Sequence, residues 1–163
     1  MASEKNNLFS GDTLHQIQQL RHQYKNQKIG FTCSCFDLLH SGHAIMLKDS
    51  RSQCDVLVVG LQTDPTIDRS TKNKPVLSFE ERKTMIEAIR YVDHVIDYAT
   101  EHDLYRILEE LKPHVRILGS DWQGKSFTGD DLSISIHWHL RDHPWSTSSL
   151  RERVWKNECR KRE

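Results

Sequence analysis

The stretch Cys35–His43, C-F-D-L-L-H-S-G-H, contains the residues of this chain that are best suited to chemistry. It joins an apolar segment, residues 28–35, to an amphipathic segment, residues 41–53, so that His40 and His43 flank the start of a predicted helix. Unpaired amides at a helix N-terminus favour anions, and two imidazoles near them add side-chain donors. The pattern predicts a site for an oxyanion such as phosphate, although histidines at a helix start also serve as caps or core residues.

Apolar strands that alternate with helical patterns surround this segment and favour an α/β fold. The predicted strands are 28–35, 55–61, 94–98, 115–119 and 133–140, and the predicted helices are 13–25, 41–53, 79–90, 101–112 and 146–158. Because parallel strands are joined by right-handed crossovers, we expect a single Rossmann-like, doubly wound domain with about five parallel strands flanked by helices. This domain covers residues 28–157, after an N-terminal extension with one helix (1–27) and before a charged tail (158–163).

Composition argues against several other classes of protein. Lys and Arg total 23 and so do Asp and Glu, so the zero net charge gives no general attraction to nucleic acid or to an anionic membrane. No apolar run approaches the ~20 residues of a membrane helix, and the polar N-terminus does not resemble a signal peptide. We therefore expect a cytoplasmic protein with no nucleic-acid or membrane partner. Cys33, Cys35, Cys54 and Cys159 lack zinc or C-x-x-C spacing and are expected to be free thiols.

Four motifs in order along the chain resemble those of a known family. F-D-L-L-H-S-G-H resembles the signature of the HIGH-motif nucleotidyltransferases and, within them, of the cytidylyltransferase branch. Three further matches are R-Y-V-D-H-V-I at 90–96, G-S-D-W-Q-G-K at 119–125 and R-D-H-P-W-S-T-S-S at 141–149. Together they resemble the glycerol-3-phosphate cytidylyltransferases over roughly residues 28–157.

The chain also departs from this pattern near the nucleotide. The family usually has glycine at the position of Ser34, threonine at Asp142 and glycine at Pro144. These changes bear on discrimination of the base and the substrate and leave the phosphate chemistry intact. A cysteine directly before F-D, as at Cys35, occurs in some sugar-phosphate nucleotidyltransferases.

The resemblance implies a reaction in which a phosphorylated acceptor attacks the α-phosphorus of CTP and pyrophosphate leaves. The attacking phosphate is already ionised, so donors that stabilise charge are needed more than a general base. The implied cofactor is Mg²⁺, held mainly by the triphosphate, and the implied ligands are CTP and a small phosphorylated alcohol, with glycerol 3-phosphate first. The resemblance also implies a homodimer. Two alternatives stay open: an adenylyltransferase of the same fold acting on a sugar phosphate or FMN, and a non-catalytic nucleotide-binding subunit.

The resemblance also implies roles for individual residues. His43 would contact the α-phosphate, His40 the β-phosphate and the leaving group, and Lys72 or Lys74, in the polar loop 62–77, the triphosphate. The catalytic set is thus His40, His43 and Lys72. The other implied residues bind the nucleotide (Cys35, Phe36, Asp37, Lys74, Arg90, Asp121, Arg141, Ser146, Thr147 and Ser148) or the substrate (Arg69 and Asp64).

Several of these residues have a purely structural interpretation as well. Arg90 could offset the dipole at a helix C-terminus, and either loop lysine could simply be solvated. Ser146 and its neighbours could be helix caps, which is compatible with phosphate binding. His137 and His139 alternate on a predicted strand and are interpreted as wall or core residues.

Overall fold

The computed structural model describes residues 10–161, so the predicted polar N-terminus (1–9) and the last two residues of the charged tail lie outside the described residues. The helices are α1 (Gly11–Gln23), α2 (Ser41–Ser52), α3 (Phe79–Glu87), α4 (Glu101–Leu111) and α5 (Thr147–Arg160). The strands are β1 (Ile29–Ser34), β2 (Val56–Gln62), β3 (His94–Tyr98), β4 (Val115–Gly119) and β5 (Ser135–His139). Within residues 10–161, no helix has both the length and the apolar character that crossing a membrane requires.

All five strands form one parallel sheet in the order β3-β2-β1-β4-β5. In the central pair, Ile29 lies beside Val56 and Ser34 beside Leu61. The chain adds strands outward from β1 in one direction and then returns to add β4 on its other side. The predicted fold of five parallel strands is therefore confirmed, and the reversal opens a crevice between the carboxyl ends of β1 and β4.

Helices cover both faces of the sheet, as a doubly wound fold requires. On one face, α1 and α4 bury residues such as Ile17 and Ile107 against the sheet. On the other face, α2 and α3 do the same with Leu47 and Ile86. The predicted helix of the N-terminal extension thus contributes to the same apolar core as the strands.

The helix bounds differ from the sequence prediction by up to three residues, with α1 shifted two residues towards the N-terminus. α3 begins after the predicted cap Ser78 but ends at Glu87, three residues before the predicted end. The amide of Ile89 bonds to the Ile86 carbonyl and that of Val92 to the Ile89 carbonyl, and these tight turns lead the chain into β3. α5 continues to Arg160, so the helix includes the start of the predicted tail.

Candidate active site

A cavity of about 650 Å³ opens at the carboxyl edge of the sheet. The ends of four strands contribute to its wall through Cys33, Gln62, Tyr98 and Leu118. Its volume is in the usual range for small-molecule sites, and its position at the reversal of strand order is where α/β proteins bind ligands.

His40 and His43 form a stacked pair at the start of α2. Their ring centroids lie 3.9 Å apart, and the edge of Phe36 packs against the His43 ring with centroids 5.3 Å apart. His40 is the N-cap residue, and its Nδ1 accepts a hydrogen bond of 3.1 Å from the amide of Gly42. The proton of the neutral ring is therefore on Nε2, which lies 3.4 Å from the hydroxyl of Thr147.

Gly42, between the two histidines, has no room for a side chain. A Cβ atom at this position would lie 2.7 Å from Cε1 of His143, 2.9 Å from Cε1 of His40 and 3.0 Å from the carbonyl oxygen of Trp145. The glycine of H-S-G-H thus allows the segment before α5 to pack directly on the start of α2.

Both imidazoles are held in the neutral form. Burial lowers the pKa of His43 to about 3, and the nearby His40 and Arg141 act in the same direction. Burial likewise lowers the pKa of His40, with contributions from His143, Arg141 and Arg153. Neutral rings donate one hydrogen bond each without placing a permanent charge beside Thr147.

This depressed pKa predicts a pH-dependent stability. The unfolded chain protonates His43 below its ordinary pKa of 6.5, whereas the folded chain does so only near pH 3, so stability is full above 6.5 and falls as pH is lowered. The expected slope from this residue is up to about 1.4 kcal/mol per pH unit. Urea unfolding of the ligand-free protein at pH 7, 6 and 5 should show a smaller slope in His43→Asn; equal slopes would contradict the assignment.

The turn between β1 and α2 is strained. Phe36 and Leu38 both have a φ of 48°, in the left-handed region that side chains disfavour, at a cost on the order of 1 kcal/mol each. Asp37 between them is buried, and its carboxylate accepts bonds from the amides of Val76 and Leu77, each 3.0 Å long. These contacts fix a backbone that would otherwise relax.

Arg151 of α5 completes the partners of Asp37 and was not predicted. Its Nη2 lies 2.5 Å from the carboxylate of Asp37 and donates to the carbonyl of Lys74 at 3.2 Å. Burial alone would raise the pKa of Asp37, but the two amides and Arg151 together hold that pKa below its usual value. Asp37 therefore joins three segments as an ionised carboxylate and also lines the cavity, so its predicted contact with the nucleotide stays a prediction.

The start of α5 faces the histidine pair. Ser146 is the N-cap, and its hydroxyl accepts a hydrogen bond from the amide of Ser149. The hydroxyl of Ser146 is therefore already bonded within the helix. Thr147 and Ser148 line the cavity, and the Thr147 hydroxyl donates to the carbonyl of Asp37 at 3.2 Å. Two helix N-termini thus converge on one volume, an arrangement suited to a polyphosphate.

Arg82 is a second residue that the sequence analysis missed. It is 1% exposed and donates to the carbonyls of Leu77, Cys35, Gln62 and Thr63. Each acceptor belongs to a segment around the cavity. The sequence offers no sign of this role, because Arg82 is one charged residue among several in a helix.

The polar loop 62–77 brings only some of its predicted residues to the cavity. Lys72 and Arg69 line it, whereas Lys74 is exposed and does not. Asp64 turns toward its own loop, where its carboxylate accepts from the amide and hydroxyl of Thr66, and these bonds lower its pKa. The structure therefore distinguishes Lys72 from Lys74 as a candidate for the triphosphate.

The structure does not bring Arg90 to the cavity. Arg90 follows α3 and precedes β3, at the amino edge of the sheet, whereas the cavity lies at the carboxyl edge. It is exposed, and its guanidinium lies 5.2 Å from the ring centroid of Tyr91. Because α3 ends at Glu87, it is not at a helix C-terminus either.

Asp121 and Arg141 lie close to the cavity without lining it. Both are exposed, in the segments that follow β4 and β5, and Trp122 next to Asp121 does line the cavity. The charge of Arg141 lowers the pKa of both site histidines, which places it near them. A ligand extending beyond the cavity mouth would meet these two residues.

His137 and His139, interpreted as wall or core residues, lie between β5 and α2 and do not line the cavity. Nε2 of His137 and Nδ1 of His139 lie 3.1 Å and 2.7 Å from the same carboxylate oxygen of Asp49. Burial would raise the pKa of Asp49, but its bonds to the two histidines lower it overall. Across residues 10–161, the structure contains no group of three His, Cys, Asp or Glu side chains that could hold a metal ion.

Several known proteins resemble this chain in sequence. The sequence model of the cytidylyltransferase-like family matches residues 31–153, which include the stacked histidines and the start of α5. The bifunctional protein HldE of Helicobacter pylori strain HPAG1 is 33% identical over 139 residues, and that of Aliarcobacter butzleri is 31% identical over 149 residues. The alignments cover 85% and 90% of this chain but only 29% and 31% of those proteins.

Solved structures show the same fold. A lipopolysaccharide core biosynthesis protein from Thermoplasma volcanium has a TM-score of 0.58 and 26% identity, and the match covers 74% of this chain and 100% of that one. Pantoate-beta-alanine ligase from Francisella tularensis has a TM-score of 0.60 at 17% identity, covering 85% of this chain and 70% of the ligase, which shows the fold alone. From its sequence motifs, its sheet and the family match over most of its length, this chain belongs to the cytidylyltransferase-like family of nucleotidyltransferases.

Proposed function

We propose that this chain transfers a nucleoside monophosphate from a nucleoside triphosphate to the phosphate of a small sugar phosphate, releasing pyrophosphate. The observation that carries the proposal is the stacked, neutral pair of His40 and His43 at the start of α2, facing Thr147 at the start of α5. A pair of donors and two helix N-termini suit the charge that develops on a transferring phosphoryl group and on pyrophosphate.

Each step of this reaction has a residue suited to it. His43 would donate to an oxygen of the α-phosphate, while His40 and the amides of α2 would orient the β-phosphate. Thr147 and Lys72, which line the same cavity, would stabilise the leaving pyrophosphate. The acceptor phosphate needs no base because it is already ionised, so positioning it in line is the main requirement. Mg²⁺ held by the triphosphate oxygens would supply further neutralisation of charge.

A sugar phosphate is the acceptor that the observations favour. The similarity to a lipopolysaccharide core biosynthesis protein, at 26% identity over that protein's whole length, supports a sugar. Cys35, directly before F-D, also supports a sugar phosphate, because some sugar-phosphate nucleotidyltransferases resemble this chain in having a cysteine there. Of the two forms of transfer, adenylyl transfer is the one whose acceptor is a sugar phosphate, so ATP is the expected donor. Cytidylyl transfer from CTP to glycerol 3-phosphate is the second candidate, supported by the match to the cytidylyltransferase-like family and by its motifs.

The test is an assay of pyrophosphate release with ATP or CTP, Mg²⁺, and either glycerol 3-phosphate or a panel of sugar phosphates. We expect ATP with a sugar phosphate to exceed CTP with the same acceptor by more than tenfold in kcat/KM, because the wrong base leaves buried polar groups unpaired. Preference for CTP with glycerol 3-phosphate would establish the second candidate. Binding of triphosphate without pyrophosphate release from any pair would contradict both, and would favour a non-catalytic nucleotide-binding subunit.

The predicted homodimer is a further proposal, and it rests on the resemblance of R-Y-V-D-H-V-I at 90–96 to the family motif. Tyr91 and Val92 of this segment are partly buried and pack against the apolar core beneath α3. Sedimentation of the purified chain would measure its mass in solution.

A further inference from the structure

Arg116 is a buried arginine in the middle of β4. It is 3% exposed, and its neighbours Val115 and Ile117 pack into the core on the α2 side of the sheet. Because side chains alternate along a strand, Arg116 lies on the opposite side, the one covered by α1 and α4. There it lines the cavity on the α4 side of the sheet, opposite the side covered by α2.

The contacts of this guanidinium leave part of its hydrogen-bonding capacity unused. Nη1 donates to the carbonyl of Thr128, and the guanidinium carbon lies 5.3 Å from the ring centroid of Phe127. Nε is buried and has no hydrogen-bond partner. An arginine has five N–H donors in a planar fork, so a carbonyl and an aromatic ring satisfy only part of it.

The charge of Arg116 is also uncompensated. Among residues 10–161, none of the ion pairs within 4.0 Å involves Arg116. The carboxylate of Glu101, which lines the same end of the cavity, lies 2.9 Å from Arg69 and accepts from the Thr128 hydroxyl. This end therefore contains two guanidinium groups and one carboxylate, and a buried cation without an anion is costly.

We propose that Arg116 is the centre of an oxyanion subsite at the α4 side of the cavity, where it binds an anionic group of the acceptor other than the phosphate that attacks the triphosphate. The recognised chemistry is a phosphate or carboxylate oxygen, which the planar guanidinium fork matches. The assignment of the ligand as the acceptor rests on the proposed function, whereas the subsite itself does not.

The division of the cavity supports the acceptor over the donor. The histidine end offers neutral donors and two helix N-termini for a triphosphate, and Arg116 lies on the α4 side. Along with Arg116, the cavity is lined by the polar side chains of Gln62, Tyr98 and Thr128, which suit a hydroxylated molecule. Arg69, predicted from sequence to contact the substrate, lines the same end, and its Nε also has no partner.

The test compares Arg116→Met with the native chain and with Arg160→Met, a control at the exposed end of α5. Titration calorimetry measures binding of inorganic phosphate to the free protein, to the protein saturated with α,β-methylene-ATP, and to His43→Ala, in which the histidine end is weakened. We expect Arg116→Met to weaken phosphate binding at least tenfold in the protein saturated with the analogue and in His43→Ala, and to remove one of two phosphate sites in the free protein. The affinity for the triphosphate analogue should change less than twofold.

Thermal unfolding separates this role from a structural one. Methionine fills a similar volume without a buried charge, so the ligand-free variant should unfold at the same temperature as the native chain or above it. Unchanged phosphate affinity in Arg116→Met, with a lower unfolding temperature, would overturn the proposal in favour of a structural arginine. A tenfold loss of triphosphate affinity would assign Arg116 to the donor instead and would also overturn it.

Two further arms identify the anion and separate this proposal from the proposed function. Glycerol 3-phosphate binding more tightly than glycerate would assign a phosphate, and the reverse order would assign a carboxylate. If neither these anions nor inorganic phosphate bind, no subsite exists. All these measurements use binding alone, so a chain that transfers no nucleotide but binds phosphate through Arg116 would contradict the proposed function and leave the subsite standing.

Discussion

Replacing His43 with alanine should lower turnover at least a hundredfold while the fold is retained. His43 lines the cavity, stacks on His40 and is held neutral by burial. Under the proposed function, its ring would donate to a charge that develops only during the reaction. Removing one such preorganised donor costs on the order of a hundred- to a thousandfold in turnover. The ring is only partly buried, so its loss leaves the apolar core beneath α2 in place.

The measurement is pyrophosphate release under saturating triphosphate, with circular dichroism to verify the fold. His22→Ala, on an exposed position of α1 far from the cavity, is the matched control and should keep native turnover. We expect the loss to appear mainly in kcat, because the interaction strengthens as charge moves onto the phosphoryl oxygens. Near-native turnover in a folded His43→Ala protein would remove His43 from the mechanism.

Replacing Arg82 with methionine should destabilise the protein by on the order of 3 kcal/mol or more. Arg82 is 1% exposed, and its loss leaves four carbonyls without their donor: those of Cys35 just after β1, Gln62 at the end of β2, and Thr63 and Leu77 at the two ends of the following loop. Charged donors to carbonyls are stronger than neutral ones, and buried acceptors without a partner keep their full cost of dehydration. The same segments carry Cys35 and Lys72, so triphosphate binding should weaken as well.

Urea unfolding followed by fluorescence measures this change. Arg90→Met, an exposed arginine close to α3 in sequence, is the control, and we expect a change within about 0.5 kcal/mol. A loss below 1 kcal/mol in Arg82→Met would show that water replaces the guanidinium at these carbonyls.

Local patterns were sufficient to predict the fold. The alternation of apolar strands with amphipathic segments indicated five parallel strands, and each observed helix overlaps its predicted range. The ends were less predictable, because α3 stops where tight turns to β3 begin, and nothing in F-E-E-R-K-T-M-I-E-A-I-R marks that point.

The candidate site was predictable where its residues are close in sequence. His40, His43 and Thr147 follow motifs at helix starts, and the structure brings all three together. The residues that were missed act across the sheet: Arg82 bonds to a carbonyl 47 positions away, and Arg151 pairs with Asp37 across 114 positions. The motif of Arg90 is recognisable in the sequence but lies at the other edge of the sheet from the cavity, so its predicted contact with the nucleotide stays a prediction.

The contact between Asp37 and α5 also affects the order in which the site is built during synthesis. Thr147 and Arg151 leave the ribosome more than a hundred residues after the strained turn that they support, at separations of 110 and 114 positions. Contacts of such separation form late because the chain between them must be ordered first. We therefore expect a nascent chain with its first strands formed to be still unable to bind a polyphosphate. Ligand binding would then report the final stage of folding.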